Sequence, residues 1–345
     1  MLPATLCLTL ATAIPTAAPT RYTIQTDEVG SIRAVLTFSV TYPNLRATEW
    51  VWFAADAPEL PGQTAVTTTL EPAGTASRDL SPLARPVVLV RVPVETDERR
   101  TTLPMKVVYE ATLHSRTLKP LGHGVVPPVV PDLSETDRQM LLAEHGDVAF
   151  KRESFQKWLK DQHFVRQAKE SDVELARRVF LGIRATFKYA YESNMDRTAP
   201  AVCQAGKSDC GGLSALFVAV MRANGIPARA LYGRWAMSAK PNETIGEMAY
   251  YQWHAKAEFF AAGVGWVPVD MASGIVHDQS EEGLRYFGRD RGDFLTFHTD
   301  TDLILDTQIF GKQTIHNLQQ PAWWVRGLGT LEPTMITEGW VVEKK

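Results

Sequence analysis

Cysteine is scarce. Cys7, Cys203 and Cys210 are the only three in 345 residues, too few for a disulfide framework. Cys203 and Cys210 are close enough in sequence to pair or to stay apart, and the sequence does not choose. Positive charge is not in excess: 36 basic residues face 39 acidic ones, a net charge of −3. No basic tract interleaved with aromatics occurs, so nucleic acid is not an expected partner. Beyond the N-terminus no apolar run approaches the length of a membrane span. No glycine loop leads to Lys-Ser/Thr, and no dinucleotide fingerprint precedes a helix. His298 and His316 lack companions at ligand spacing, and His114 lacks a nearby cysteine or acidic cluster. Neither a metal nor a cofactor is therefore expected. What remains is ordinary globular composition, 45% hydrophobic and 22% charged, in a chain longer than one typical domain.

Residues 1–20, Met1 to Thr20, are small, apolar and uncharged. They read as an export-signal remnant or a disordered tail; the basic start of an export signal is missing, as an upstream start codon would explain. Export to the periplasm or outside the cell is slightly favoured over the cytoplasm. Residues 21–118 carry β-branched, partly alternating runs: Ser31–Tyr42, Glu49–Ala54, Thr64–Leu70, Val87–Val94 and Leu103–Leu113. Short strands at this spacing, broken by Pro61-Gly62 and Pro72-Ala73-Gly74, predict an antiparallel all-β sandwich. Residues 119–133 are a Pro/Gly linker. Residues 134–345 form the second unit, with helices expected at Ser134–His145, at Phe155–Ala168, and from a capping box at Ser171 and Glu174. Leu303 falls in a closing strand, Thr301–Leu305, and the charged, glycine-bearing run His277–Asp293 is a loop at a cleft rim.

The chemistry concentrates further in. Gln204-Ala205-Gly206-Lys207-Ser208-Asp209-Cys210-Gly211-Gly212 is a polar loop running into an apolar-periodic segment, Leu213–Ala223. Leu213, Leu216, Phe217, Val220 and Met221 make the buried stripe of a helix that stops at Asn224-Gly225-Ile226-Pro227. Cys210 thus stands at a helix N-terminus, where free N–H groups and the helix dipole favour a thiolate. Lys207 and Asp209 read as surface charges of the loop. Downstream, His254, Lys256 and Glu258 alternate along the strand Tyr250–Phe259, and a turn at Ala262-Gly263 leads into Gly265–Asp270. Two adjacent strands so joined place Asp270 beside His254 and leave the other ring nitrogen for Cys210. That is the order nucleophile, base and orienting carboxylate.

Gly206, Cys210, the segment Gly225-Ile226-Pro227-Ala228-Arg229, His254 and Gly265-Trp266-Val267-Pro268-Val269-Asp270 resemble the core of the transglutaminase-like superfamily. The resemblance covers about residues 171–307. It implies an α+β papain-like fold, a cysteine helix packed on an antiparallel sheet, preceded here by the all-β sandwich. It also implies Cys210 as nucleophile, His254 as base and Asp270 as its orienter. Lys256 departs from the family, which commonly has an aromatic at that position.

Gln204 is a candidate oxyanion donor, and Trp253, Lys256, Trp323 and Trp324 are candidate cleft residues. Trp323 and Trp324 are also read as packing residues. Three functions follow as alternatives: a cysteine-dependent hydrolase of peptide-like amides, protein-glutamine acyl transfer giving cross-links, and a catalytically silent binding or assembly protein. The substrate expected is a peptide, a protein or a cell-wall peptide, and the oligomeric state is left open.

Overall fold

Alternating apolar residues force the first part of the chain into long strands. In β1 (Tyr22–Thr41), Ile32, Ala34, Leu36, Phe38 and Val40 are all buried while their neighbours point away, the two-residue period of a half-buried strand. A computed structural model of the chain describes residues 21–95, 100–122, 124–240, 242, 244–245, 248–249 and 252–345. The export segment expected at 1–20 lies outside the described residues. After β1 come β2 (Leu45–Ala55), β3 (Gln63–Glu71), β4 (Thr75–Arg78), β5 (Pro86–Pro93) and β6 (Thr102–Pro120). Residues 121 and 122 and 124–134, in the stretch expected as linker, carry no helix or strand.

Three helices follow: α1 (Glu135–Leu142), α2 (Glu153–Asp161) and α3 (Asp172–Thr186). The Ser171–Glu174 capping box forms as expected at the start of α3. Next are β7 (Lys188–Tyr189), α4 (Ala199–Ala205), β8 (Lys207–Ser208), α5 (Cys210–Ala223) and β9 (Ala228–Trp235). The small hairpin β10 (Thr244–Ile245) and β11 (Met248–Ala249) leads to β12 (Trp253–Ala261), β13 (Gly265–Val269) and α6 (Met271–His277). The chain closes with β14 (Arg289–Asp290), β15 (Phe294–Thr299), β16 (Leu303–Asp306), β17 (Lys312–Ile315), β18 (Ala322–Gly329) and β19 (Met335–Lys344).

The fold is α+β. One sheet runs β14-β6-β1-β19, with β3 also paired to β6, and another runs β18-β2-β5-β4. They share an apolar core built from β1, β2, β5, β6 and β19, with Trp50, Trp52 and Trp340 buried in it. A second core is shared by α2 to α6 and by β9, β12 and β13 of the sheet β13-β12-β9-β15.

Two expectations from sequence are corrected here. The reading that gave residues 134–345 to one unit separates β18 and β19 from their partners: β18 pairs with β2 and β19 with β1, so the last strands complete the sandwich sheets. Pairing partners so distant in sequence leave no local signal. The expected closing strand Thr301–Leu305 is also displaced. Among the described residues β16 pairs with β17, and the strand that closes the sheet beside β9 is β15. Its Leu295 and Phe297 reach the sandwich core, where Phe297 stacks on Tyr109 at 4.5 Å.

The helix α5 is buried on every side, from Gly211 to Arg222, rather than along a stripe. An all-round apolar helix belongs in the interior of a domain. Its one cation, Arg222, reaches Asp300 at 2.7 Å and the Ala228 carbonyl.

Candidate active site

Cys210 is the first residue of α5, and Asp209 is its N-cap. The Asp209 carboxylate accepts from the Gly212 N–H at 3.2 Å and from Arg197 Nε at 2.8 Å. Asp209 is buried, so its sequence reading as a surface charge is corrected; Lys207 is exposed, with Glu192 at 2.7 Å. The entry to the helix is tight. A Cβ on Gly212 would lie 2.1 Å from Ser208 Oγ, and Gly206 takes φ +65° where the chain leaves α4, a conformation glycine adopts at little cost. Cys210 is half-buried and its thiol is free. The first-turn N–H groups around it have no acceptor within the helix.

His254 sits near the start of β12, with Nε2 2.9 Å from Asp270 Oδ2. The Cys210 sulfur also acts on the imidazole and favours its protonated form. One indole braces the ring: Trp235 stacks on it at 4.5 Å, and Phe294 meets it edge-on at 6.0 Å. Burial alone would lower the histidine's pKa. The Asp270 carboxylate and the Cys210 sulfur outweigh it and raise the pKa to about 9.

Asp270 follows β13, which runs antiparallel to β12 with Val269 opposite Ala257. It caps α6: Oδ1 accepts from the Ser273 N–H at 2.9 Å and Oδ2 from Ser273 Oγ at 2.8 Å. Burial opposes its ionisation, but His254, Lys256 and the Ser273 N–H together hold the carboxyl down at about 2.

The alternation along β12 puts three charged residues on one face, each with its own partner. His254 faces Asp270. Lys256 lies 3.5 Å from both Asp290 and Asp293 and 4.8 Å from the Trp235 ring. Glu258 receives Arg116 at 2.7 Å and Arg229 at 2.6 Å. Arg116 comes from β6, so this pair ties the sandwich to the sheet that carries the histidine. On the opposite face Ala255, Ala257 and Phe259 join the core with α5.

Beside Asp270 and Ser273 a cavity of about 540 Å³ opens, with Lys256 and Trp235 in its wall. The loop after α6 supplies part of its lining, the position expected for His277–Asp293. Trp253 is half-buried with the Arg234 guanidinium 5.6 Å from its ring, and it does not line the cavity. Trp323 and Trp324 do not line that cavity. They lie on β18 in the sandwich, Trp323 against Phe38 at 5.5 Å and Trp324 against Phe53 at 6.1 Å. Trp323 thus reaches the facing sheet through Phe38 of β1, while Trp324 packs edge-on to Phe53 of the neighbouring strand β2. Gln204 is exposed on the last turn of α4. Cys203 is half-buried and free, its Sγ donates to the Pro200 carbonyl at 3.1 Å, and burial pushes its thiol up to about 11.

Sequence reasoning missed Trp235, Ser273 and Gln319. Ser273 had a signal, since Asp270 followed three residues later by serine opens α6. Gln319 had none: it is buried and its amide donates to the carbonyls of Gly233 and His254 at 2.7 and 2.8 Å, bridging β9 and β12 from a distant loop. Among the described residues no three His, Cys, Asp or Glu side chains gather in a metal-holding group. No helix among them is long and apolar enough to cross a membrane.

A cysteine-headed helix packed on an antiparallel sheet, with histidine on one strand and aspartate just after the next, places the chain in the papain-like class of folds. Residues 162–271, which include Cys210, His254 and Asp270, match the model of the transglutaminase-like superfamily. The crystal structure of a candidate cysteine protease from Cytophaga hutchinsonii resembles it in fold at 12% identity. That likeness covers 94% of this chain and 100% of that one, with a TM-score of 0.54. The periplasmic domain of TgpA from Pseudomonas aeruginosa is 14% identical, over 73% of this chain and 92% of that one, with a TM-score of 0.34. An uncharacterised protein of Haemophilus influenzae is 37% identical over 79 residues, 19% of this chain. The match spans only 21% of that relative's length.

Proposed function

We propose that the protein is a cysteine-dependent hydrolase of peptide-like amide bonds. The observation that carries the reading is the His254 imidazole 2.9 Å from Asp270, with Cys210 at the head of α5 acting on the same ring. The raised pKa of His254 supports a thiolate–imidazolium pair, which is the nucleophilic form of the couple.

In this scheme the Cys210 sulfur attacks the amide carbonyl carbon. The C–O π electrons move to oxygen, and the Cys210 N–H at the free end of α5 receives the oxyanion. Gln204 enters as a second donor, an assignment that rests on its place in the chain. As the C–N bond breaks, the His254 imidazolium gives its proton to the leaving nitrogen, and an acyl-thioester remains. A water then loses its proton to His254 and adds to the thioester, and the C–S bond breaks. The acid leaves and the thiolate–imidazolium pair returns. Asp270 keeps the ring oriented and supports its charge throughout.

Export remains part of the proposal, supported by the small apolar residues 1–20.

The experiment is alkylation of the single thiol. In a Cys7→Ser, Cys203→Ser background, iodoacetamide at neutral pH should modify Cys210 faster than it modifies free cysteine, and a folded His254→Ala variant should lose that advantage. Equal rates in both proteins reject the reading. Peptide amides offered with a fluorescent primary amine then separate water from amine as acceptor, since incorporated amine would mark acyl transfer instead of hydrolysis.

A further inference from the structure

The cavity of about 540 Å³ beside Asp270 has an uneven distribution of charge. Three carboxylates line it, and each already faces a cation. Asp270 faces His254 at 2.9 Å, Asp290 lies 3.5 Å from Lys256 and 3.6 Å from Arg116, and Asp293 lies 3.5 Å from Lys256. Three arginines also line it, Arg285, Arg289 and Arg291, all of them exposed. Among the described residues none of these three guanidinium groups makes an ion pair. The local backbone explains the pattern. Along β14 (Arg289–Asp290) successive side chains point to opposite sides, so Asp290 turns inward to Arg116 and Lys256 while Arg289 turns out; Arg291, just past the strand, is exposed as well.

The inner wall is therefore neutralised and the rim carries uncompensated positive charge. A guanidinium presents paired donors that match a carboxylate in a bidentate arrangement. Asp270, whose carboxylate faces His254 at 2.9 Å, lines the same cavity, so the rim is joined to the proposed catalytic pair through that carboxylate. We propose that this cavity binds the carboxylate-bearing part of an acidic peptide through Arg285, Arg289 and Arg291, which makes acidic peptides the substrate class of the site. The assignment of a substrate rests on the reading of Cys210 as the reacting thiol; the binding itself does not.

The test uses the full chain with Cys210→Ala, so that binding is read without chemistry. Fluorescein-labelled triglutamate and trilysine are titrated by fluorescence anisotropy at low salt. Triglutamate should bind and trilysine should not. Arg289→Gln/Arg291→Gln should raise the triglutamate Kd by about fivefold or more. Arg289→Lys/Arg291→Lys should recover part of the loss, and added salt should weaken the parent most. Circular dichroism and a thermal melt establish that each variant is folded. Equal affinity for the two peptides, no measurable triglutamate binding, or a Kd unmoved by the glutamine substitutions overturns the proposal. If triglutamate binds as expected while Cys210 in the intact protein shows no enhanced alkylation, the hydrolase reading fails and the acidic-peptide site stands.

Discussion

Ser273 Oγ lies 2.8 Å from Asp270 Oδ2, the same oxygen that faces His254 Nε2 at 2.9 Å. The carboxylate is thus fixed from behind by the start of α6 before it meets the imidazole. Ser273→Ala removes one of two hydrogen bonds from this serine and keeps the other, through the backbone N–H. A hydrogen bond to a charged group contributes about 1.5–3 kcal/mol at most. The variant should stay folded and lose roughly tenfold in Cys210 alkylation rate. Ser273→Thr, which restores a hydroxyl, should recover most of it. An unchanged rate in Ser273→Ala would show that the backbone cap alone positions Asp270.

Stability should depend on pH through the same pair. His254 is raised to about 9 in the folded protein, against an unfolded value of about 6.5. Its contribution is fully present below about pH 6.5 and is lost as pH rises through 9, a term of about 3 kcal/mol by linkage. Asp270 works in the opposite sense. Held at about 2, it adds stability above about pH 4 that fades as pH falls toward 2. Urea unfolding of the wild type should show a larger drop between pH 6.5 and 9.5 than unfolding of His254→Gln. Parallel curves for the two proteins would contradict the raised value.

Much of this site is legible in the chain, and the reasons are local. The polar loop before an apolar run marks the start of α5. Alternation along β12 puts His254, Lys256 and Glu258 on one face, and the short turn to β13 sets Asp270 beside them. The illegible part is nonlocal. Nothing near Trp323 or Trp324 says that β18 will pair with β2, so a cleft stays open beside the packing reading that the sequence favours for the two indoles. Nothing near Arg116 announces that it will cross from β6 to Glu258 on β12. Lys256 departs from the aromatic common at its position, and only the fold supplies the carboxylates that make a buried lysine tolerable there.

Arg116 and Glu258 give the third prediction. Both are buried, at 2.7 Å, and Glu258 also receives Arg229. Removing one member of a buried pair leaves an uncompensated charge and costs about 3–5 kcal/mol. Arg116→Met should be destabilised by about that amount in urea, more than Arg229→Met, because Arg229 is the more exposed partner. Equal and small losses would mean that the link between β6 and β12 adds little to stability.

The tryptophans of β18 give the fourth. Trp323 packs on Phe38 and its Nε1 donates to the Tyr42 hydroxyl at 2.9 Å. Trp323→Ala should cost about 3 kcal/mol or more in thermal or urea unfolding. The fraction that stays folded should keep its Cys210 alkylation rate, since the half-buried indole packs on the sandwich core. A folded Trp323→Ala protein with a selectively slowed thiol would place that indole in the functional site after all.

The central claim is that Cys210 and His254 act as one unit, and the pH dependence of Cys210 alkylation tests it most directly. The measurement follows the iodoacetamide rate between about pH 4 and 10 in the Cys7→Ser, Cys203→Ser background, with folded His254→Ala beside it. The parent should show a fast plateau through neutral pH, with a further change near pH 9 as the His254 imidazolium loses its proton. In His254→Ala the plateau should vanish, leaving the single rise near pH 8.5 of an ordinary thiol. Superimposable profiles for the two proteins would contradict the account and leave Cys210 a structural cysteine at the head of a buried helix.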